Sequence, residues 1–184
     1  MSQKRNDLLA VAEQLFYEYG FNGVGLKQII QEANVATMTL YNHFDSKEKL
    51  VEAVLKQREA RYWEYLDEYT KTKQVQPLTC IVKAHCKWLK DYSYKGDMFL
   101  RAIEDYAESN QDIVSIARGH KQRLLDYLEH LTAEQGLEDQ EALAIQYALL
   151  LEGTTSMTAL VGVDKATDHA LRIAEMYLRE VAYK

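Results

Sequence analysis

The sequence predicts an all-α protein of two domains, and three observations support that fold class. The chain has 184 residues, of which 47% are apolar and 27% charged, as in globular proteins with a buried core. It contains one proline and eight glycines, too few for the many turns of a sheet protein. Apolar residues recur at helical spacing along most of the sequence. This composition excludes disordered, collagen-like and disulfide-scaffold chains.

The first third of the chain predicts three helices separated by short turns. A helix over residues 4–19 has one apolar face and ends at Gly20, where a left-handed cap is expected. Two shorter helices over 26–33 and 37–44 follow, and Asn34 between them can adopt the left-handed conformation. Two short amphipathic helices around a tight turn are typical of a helix-turn-helix.

The rest of the sequence predicts six further helices, which makes nine in all. Asp45 and Ser46 are both suitable N-cap residues for the first of them. Pro77 suits the first turn of the next helix, and Asn110 caps a later one. These helices cover residues 47–69, 77–92, 99–109, 111–134, 140–160 and 165–183.

The formal net charge of −6 is unevenly distributed along the sequence. Residues 1–61 hold eight basic and eight acidic residues and are neutral. Residues 62–184 hold fourteen basic and twenty acidic residues, so they carry the entire net charge. The N-terminal third can therefore approach a polyanion, whereas the remainder repels one.

Three features of the sequence predict a cytoplasmic location. No stretch of the sequence approaches the roughly 18 apolar residues that a membrane span needs. The charged N-terminus lacks the apolar core and the small-residue cleavage site of a secretory signal. The two cysteines, Cys80 and Cys86, fit a reducing compartment.

Residues 26–50 carry the side chains expected to contact DNA. The second helix of a helix-turn-helix lies in the major groove, and the first crosses the backbone. Hydroxyl, amide and imidazole groups can bond base edges or phosphates, and a methyl-bearing side chain can contact a thymine methyl. Leu40 and Phe44, four residues apart, would anchor the second helix inward. The predicted DNA-binding residues are Lys27, Thr37, Met38, Thr39, Tyr41, Asn42, His43 and Lys47.

The segment AEQLFYEYGFNGVGLKQIIQEANVATMTLYNHFDSKEKLVEAVL resembles the tetracycline-repressor (TetR) family of bacterial transcriptional regulators. Its core TLYNHFDSKEKL, residues 39–50, is close to the most characteristic string of that family. The resemblance implies a DNA-binding domain at residues 1–46 and a ligand-binding and dimerisation domain at residues 47–184. It also implies a homodimeric repressor that binds a near-palindromic operator and responds to a small-molecule effector.

Three positions depart from the family pattern. Gly25 and Ala36 stand where a serine or threonine usually caps the second and third helices. Asn34 replaces the usual glycine of the turn, which its left-handed tendency tolerates. The missing caps predict weaker helices, the loss of one phosphate contact and weaker DNA binding, unless Thr37 caps the third helix instead.

The resemblance places an inducer cavity among the helices of the C-terminal domain. Aromatic side chains with a few polar groups suit an apolar pocket, but they suit a packed core equally well. His120, for example, fits either a buried interior histidine or a polar group in the cavity wall. The candidate pocket residues are Trp63, His85, Trp88, Phe99, Ile103, Tyr106, His120 and Tyr147.

The predicted helix over 140–160 is apolar on two faces and must therefore be covered on both. The chain's own core can cover one face, and a partner chain can cover the other. The alternative is burial of both faces within one chain. The candidate dimer-interface residues, by resemblance to the family's last two helices, are Leu149, Gly153, Ser156, Leu160, Ala170, Ile173 and Tyr177.

Two other classes of function are alternatives to DNA binding. The sequence has no glycine-rich phosphate loop, its five histidines are scattered, and Cys80 and Cys86 fall on different faces of one helix. We therefore expect no enzymatic activity, no metal and no cofactor. The remaining alternative is a helical dimeric interaction or ligand-binding module without DNA binding, which the acidic charge and the missing caps favour.

Overall fold

The computed structural model describes residues 3–71, 77–135 and 139–182, with side chains described up to residue 177. These residues form nine α-helices and no strand, which confirms the predicted fold class. The helices are α1 Gln3–Tyr19, α2 Leu26–Glu32, α3 Thr37–Tyr41, α4 Lys47–Lys71, α5 Pro77–Tyr92, α6 Met98–Tyr106, α7 Gln111–Glu134, α8 Gln140–Val161 and α9 Val163–Ala182.

Two residues adopt the left-handed conformation that the sequence predicts for them. Gly20 has a φ of +79°, and its N–H donates to the Phe16 carbonyl at 2.9 Å, which ends α1. Asn34 has a φ of +51° and turns the chain between α2 and α3. The tight turn of the helix-turn-helix therefore forms without a glycine.

Two helix starts are capped as predicted. The Ser46 hydroxyl accepts a hydrogen bond from the Lys49 N–H at 3.2 Å and caps α4. The Asn110 side-chain oxygen accepts one from the Ile113 N–H at 3.1 Å and caps α7. Local capping chemistry explains why the predicted starts of these two helices agree with the structure.

Some helix ends differ from the prediction. Helix α3 ends at Tyr41 instead of residue 44, although the Phe44 N–H still donates to the Leu40 carbonyl at 2.9 Å. Helix α6 ends at Tyr106 instead of residue 109, because a hydrogen-bonded turn follows it. Helix α9 begins at Val163, immediately after Gly162, and its predicted end at residue 183 lies outside the described residues.

The chain divides into two compact units, which are described separately. Unit 1 comprises the chain up to Ala60 together with Met98–His120. Unit 2 comprises Arg61–Asp97 and the chain from Lys121 onward. The predicted DNA-binding domain, residues 1–46, lies within unit 1, and its boundary at residue 46 stays a prediction.

Unit 1 buries a continuous apolar core under the helix-turn-helix. Phe16 and Phe21 are fully buried, and the Phe21 ring meets the Tyr106 ring edge-on at 5.7 Å. An ion pair also lies inside this unit, where the Arg58 guanidinium donates to the Glu13 carboxylate at 2.6 Å. Helix α1 packs against α2 and α3 and so supports both helices of the motif.

Unit 2 is a helical bundle in which α5 packs against both α8 and α9. Its core contains buried leucines, valines and alanines, together with the aromatic residues Tyr62, Trp88 and Tyr147. Among the residues that the structure describes, no helix is long and apolar enough to span a bilayer.

Candidate nucleic-acid interface

Helix α3 presents one face to the core of unit 1 and the other to solvent. Leu40 is fully buried and Phe44 is 4% exposed, so both side chains anchor α3 as predicted. On the opposite side Met38 is 68% exposed and Tyr41 is 48% exposed. A large apolar side chain that remains this exposed on a short helix is available to a partner surface.

The other predicted DNA-binding residues lie at the surface as well. Thr37 and Asn42 are exposed on the same short segment as Met38 and Tyr41. Lys27, near the start of α2, is also exposed. Thr39, His43 and Lys47 are half-buried. The segment thus offers hydroxyl, amide, imidazole and thioether groups, which can read base edges and bind phosphates.

The starts of α2 and α3 have no side-chain cap, as Gly25 and Ala36 predict. Both residues occupy the extended N-cap conformation, and neither makes a side-chain capping hydrogen bond. Backbone bonds replace the cap: the Gln28 N–H donates to the Gly25 carbonyl at 3.1 Å, and the Thr39 N–H donates to the Ala36 carbonyl at 2.8 Å. The missing cap costs α3 about 1 kcal/mol relative to serine at the N-cap.

The start of α4 carries two lysines in different surroundings. The Lys49 ammonium lies 2.6 Å from the Glu52 carboxylate and 3.7 Å from Asp112. The hydrogen bond that the Lys49 ammonium donates to the Glu52 carboxylate raises the pKa of Lys49. A lysine held between two carboxylates is a poor phosphate contact, so Lys47 is the better candidate of the two.

The candidate pocket residues fall into two groups, one in each unit. Unit 1 contains Phe99, Ile103, Tyr106 and His120, and the Phe99 and His120 rings stack at 3.8 Å. Unit 2 contains Trp63, His85, Trp88 and Tyr147. Within each unit these side chains pack into or against the apolar core. Their role in effector binding stays a prediction.

Unit 2 has a buried polar chain that includes two residues missed by the sequence analysis. The Tyr62 hydroxyl lies 3.0 Å from His85 Nδ1, and His85 Nε2 lies 2.9 Å from the Thr155 hydroxyl. Burial raises the pKa of Tyr62 far above its usual value, so the phenol stays neutral. Tyr62 and Thr155 belong to no sequence motif. The one signal in the sequence is His85, because a histidine among apolar residues needs buried hydrogen-bond partners.

A second polar cluster of unit 2 is centred on Lys121. Its ammonium pairs with the Asp97 carboxylate and, at 2.7 Å, with the Glu152 carboxylate. Burial lowers the pKa of Lys121, but the two carboxylates outweigh burial and the net shift is upward. Glu152 is a charged residue in a largely apolar stretch of α8, and this is the signal in the sequence that could have indicated the cluster.

An open apolar groove of about 490 Å³ lies between helices α8 and α9. Five of the seven predicted interface residues line it: Leu149, Gly153, Ala170, Ile173 and Tyr177. The other two, Ser156 and Leu160, lie at the surface of α8. Leu149 is 68% exposed and Leu160 is 78% exposed, so this face of α8 is uncovered in a single chain. The polar residues Gln146, Lys165 and His169, which the sequence analysis did not select, also line the groove.

The two cysteine thiols of α5 lie in the protein interior. Cys80 and Cys86 are both buried and unbridged. Burial raises the pKa of the Cys86 thiol to about 11, which disfavours the nucleophilic thiolate. Within the described residues, no group of three or more His, Cys, Asp or Glu side chains is placed to hold a metal ion.

These features define a class of protein: an all-helical protein with an exposed helix-turn-helix in its N-terminal part. The family model described as "Bacterial regulatory proteins, tetR family" matches residues 8–54. The crystal structure of SCO4454, a TetR-family transcriptional regulator from Streptomyces coelicolor, is 25% identical and has a TM-score of 0.88. The superposition covers 97% of this chain and 95% of that one. Residues 8–54 therefore match the tetR family of bacterial regulatory proteins, and the fold of the chain is that of a TetR-family regulator, as the resemblance predicted.

Other relatives are similar over the N-terminal part of the chain. The HTH-type transcriptional repressor NemR from Escherichia coli (strain K12) is 39% identical over 64 residues, covering 35% of this chain and 32% of NemR. The HTH-type transcriptional repressor KstR2 from Rhodococcus jostii (strain RHA1) is 38% identical over 55 residues, covering 30% of this chain and 27% of KstR2. The aligned segment therefore spans about a third of the length of these relatives.

The fold is also shared with a structure at lower identity. A TetR transcriptional regulator from Legionella pneumophila is 22% identical, with a TM-score of 0.83 over 96% of this chain and 98% of that one. At this identity the likeness concerns the fold alone. Similarity to proteins of named function is therefore limited to the N-terminal part of the chain, and the C-terminal region is similar to these structures in fold.

Proposed function

We propose that this protein is a homodimeric transcriptional repressor that binds a near-palindromic DNA operator and responds to a small-molecule effector. The observation that carries the proposal is the two-sided helix α3. Leu40 and Phe44 anchor it in the core, while Met38 and Tyr41 project into solvent. This is the arrangement that a helix needs in order to enter a major groove and contact base edges.

The uncovered face of α8 and α9 supports the homodimer. Exposed Leu149 and Leu160 lie on the same uncovered apolar face. Exposed leucines that occur singly need no explanation, but a group of them on one face marks an interaction surface. A second copy of the same surface, related by a two-fold axis, would cover it isologously. The dimer would present two α3 helices to half-sites roughly 34–36 Å apart, one turn of DNA.

The effector is proposed to act by shifting a population of dimer geometries. Helix α4 is continuous from Lys47 to Lys71, and its residues belong to both compact units. A ligand that favours one arrangement of unit 2 would change the spacing of the two α3 helices. The change in DNA affinity is limited to the difference in the ligand's affinity for the two states. The domain division at residues 46 and 47 is part of this proposal.

The same proposal places the protein in the cytoplasm, where its operator is, and assigns it no enzymatic activity. It assigns no cofactor or metal to the chain. The buried thiols and the match of residues 8–54 to the tetR family model support this assignment. Its partners are operator DNA, an effector of unidentified chemistry and a second copy of the chain.

The test is a selection of bound duplexes from fragmented genomic DNA of the source organism, with purified protein at two salt concentrations. Recovery of a near-palindromic site whose binding falls steeply with salt is the expected result. Recovery of no duplex at low salt, with or without cell-extracted small molecules, by a folded and dimeric protein would overturn the proposal.

A second candidate is a helical dimer that retains the fold but binds a protein or a ligand instead of DNA. The uncapped starts of α2 and α3 favour it, because the missing hydroxyls remove groups that could bind phosphate. Salt dependence separates the two candidates. Phosphate contacts make the affinity fall steeply with salt, whereas a protein interface need not.

A further inference from the structure

We propose that the groove between α8 and α9 binds an amphipathic carboxylate, a molecule with an anionic head and an apolar tail, and that this ligand competes with the second copy of the chain. The inference rests on the proposed homodimer and adds the chemical class of a ligand that controls it. Its first support is the size of the groove. A volume of about 490 Å³ lies within the range of small-molecule sites, roughly 300–1,000 Å³.

The α9 side of the groove has a basic end and an apolar end. Helices α8 and α9 are joined through Gly162 alone and pack against each other, so they run antiparallel. Lys165 and His169 line the groove at the end next to this connection. Ile173 and Tyr177 follow at intervals of four residues and continue the same stripe of the helix. From residue 165 to residue 177 the helix rises roughly 18 Å, which gives room for an elongated tail beside a head group.

The α8 side of the groove is an apolar wall. Leu149, Gly153 and Met157 line it, and Leu149 is 68% exposed in a single chain. Space is open beside Gly153, because no atom lies within 4 Å of the position that a Cβ would take there. An alkyl or aryl tail that covers this wall removes apolar surface from water and is stabilised by the hydrophobic effect.

The charge of the groove is basic, although the sequence around it is acidic. Residues 62–184 hold fourteen basic and twenty acidic residues. Among the described residues that line the groove, however, there is a lysine and a histidine but no Asp or Glu. The Lys165 ammonium and an N–H of the His169 ring can both donate to a carboxylate. The groove therefore favours an anionic head over a cationic one.

The two acidic residues in the first turns of α9 act on a different neighbour. The Lys90 ammonium of α5 lies 2.9 Å from the Asp164 carboxylate. This hydrogen bond raises the pKa of Lys90, and the charge of Asp168 adds to the shift. Both carboxylates therefore act toward α5, whereas Lys165 and His169 line the groove.

A ligand in the groove and a second copy of the chain need the same surface. Leu149, Gly153 and Ile173 line the groove and are also candidate interface residues. Because the two occupants exclude each other, a ligand that binds the single chain opposes dimerisation. A ligand at ten times its dissociation constant raises the apparent dissociation constant of the dimer about a hundredfold, since each chain contributes a factor of about eleven. This route acts on α8 and α9 directly and differs from a change of dimer geometry.

The experiment uses decanoate as the probe and decyltrimethylammonium as the control of opposite charge, both below the concentrations at which they form micelles. Isothermal titration calorimetry of the full chain should show one decanoate per chain, bound about tenfold more tightly than the cation. Sedimentation equilibrium should show the dissociation constant of the dimer rising with decanoate concentration as the competition requires.

Two variants separate the head from the tail, and a third is the control. Lys165→Gln removes the ammonium and should weaken decanoate binding about tenfold. Gly153→Leu fills the open space in the groove and should weaken the binding of decanoate and of the alkyl cation alike. Lys71→Gln removes an exposed charge of unit 2 outside the groove and should bind decanoate as the wild-type protein does. The thermal midpoint of each variant without ligand checks that it is folded.

The outcomes that contradict the inference differ from the one that contradicts the homodimer. Decanoate that does not bind, or that binds Lys165→Gln as tightly as wild type, would overturn the site for an anionic head. Lysine-dependent binding that leaves the dissociation constant of the dimer unchanged would overturn the competition. A chain that is monomeric at every concentration without ligand would overturn the homodimer and the competition together, while Lys165-dependent binding of decanoate would still support the site.

Discussion

The two surfaces that this chain offers to partners are opposite in chemistry. The surface of α3 is small and mixed, with hydroxyl, amide and imidazole groups around Met38 and Tyr41. The surface of α8 and α9 is a long apolar groove with exposed leucines. A hydrated polyanion suits the first surface, and only another apolar surface suits the second. The α3 surface is therefore suited to reversible, salt-dependent binding, and the α8–α9 surface is suited to a stable apolar interface.

The two surfaces also differ in what supports them. Helix α3 has only five residues and no side-chain cap, so packing through Leu40 and the following turn must hold it in place. Helix α8 has 22 residues and buries Leu143, Tyr147 and Leu151 on its inner face. The α3 surface is thus stabilised by the unit 1 core, whereas α8 and α9 are long helices that pack against each other and against α5.

The largest expected effect comes from placing a charge on the apolar surface. Leu149→Glu should leave the fold intact, because the side chain is largely exposed in a single chain. In the dimer, two unpaired carboxylates would be buried at several kcal/mol each, raising the dissociation constant about a thousandfold or more. Sedimentation equilibrium measures this constant. Leu100→Glu, at an exposed site of unit 1, is the matched control, and equal dimerisation of the two variants would exclude this interface.

The next effect concerns the interior that supports α8. Burial raises the pKa of Tyr147 from 10 to about 12. Its neutral form is therefore favoured in the folded state, and this stability is complete below pH 10 and is lost as pH rises from 10 toward 12. Between pH 10 and 12 the free energy of unfolding of the wild-type protein should therefore fall by up to about 2–3 kcal/mol more than that of Tyr147→Phe. Chemical denaturation at several pH values measures this difference. An identical alkaline decline in both proteins would show that the phenol is not shielded.

The mixed surface of α3 should show two kinds of mutational effect. Tyr41→Ala and Lys47→Ala should weaken binding to all duplexes alike, because they remove phosphate contacts. Thr37→Ala and Met38→Ala should change the preferred site, by about 1–3 kcal/mol at the affected bases. Fluorescence anisotropy with matched duplexes measures both, and Lys71→Ala, at the far end of α4, is the control. Unchanged affinity and preference in all four variants would refute this docking of α3.

The smallest expected effect tests how weakly α3 is held. Ala36→Ser restores a hydroxyl at the N-cap and should stabilise the protein by about 1 kcal/mol. The hydroxyl could also donate to a phosphate, which would raise DNA affinity at low salt. Thermal melting and anisotropy measure the two changes separately. Ala36→Gly is the control, since it changes the N-cap without supplying a hydroxyl, and a serine variant no more stable than wild type would mean that the missing cap has no cost.

Local sequence patterns predicted much of the fold because local chemistry determines it. Gly20, Asn34, Ser46 and Asn110 end or begin helices through contacts within a few residues, and each is placed as predicted. The inward anchoring of α3 by Leu40 follows from helical spacing alone. The resemblance to the family added the expectation of a homodimer, an operator and a small-molecule effector.

The arrangement of distant residues could not be obtained in the same way. Helical spacing shows that Phe99 and Trp88 face inward, but not that they belong to different compact units. The link from Tyr62 through His85 to Thr155 joins α4, α5 and α8, and its two hydrogen bonds span 23 and 70 residues of sequence. The stacking of Arg5 on Phe44 likewise depends on how α1 packs against α3.

The most direct test of the account is a hydroxyl-radical footprint of the protein on the genomically selected duplex. The account predicts two equivalent protected half-sites related by a two-fold axis, with centres roughly 34–36 Å apart or slightly more. Leu149→Glu should lose both half-sites together at concentrations where the wild-type protein protects them. A single asymmetric footprint that Leu149→Glu leaves unchanged would contradict a dimer that docks two α3 helices on one operator.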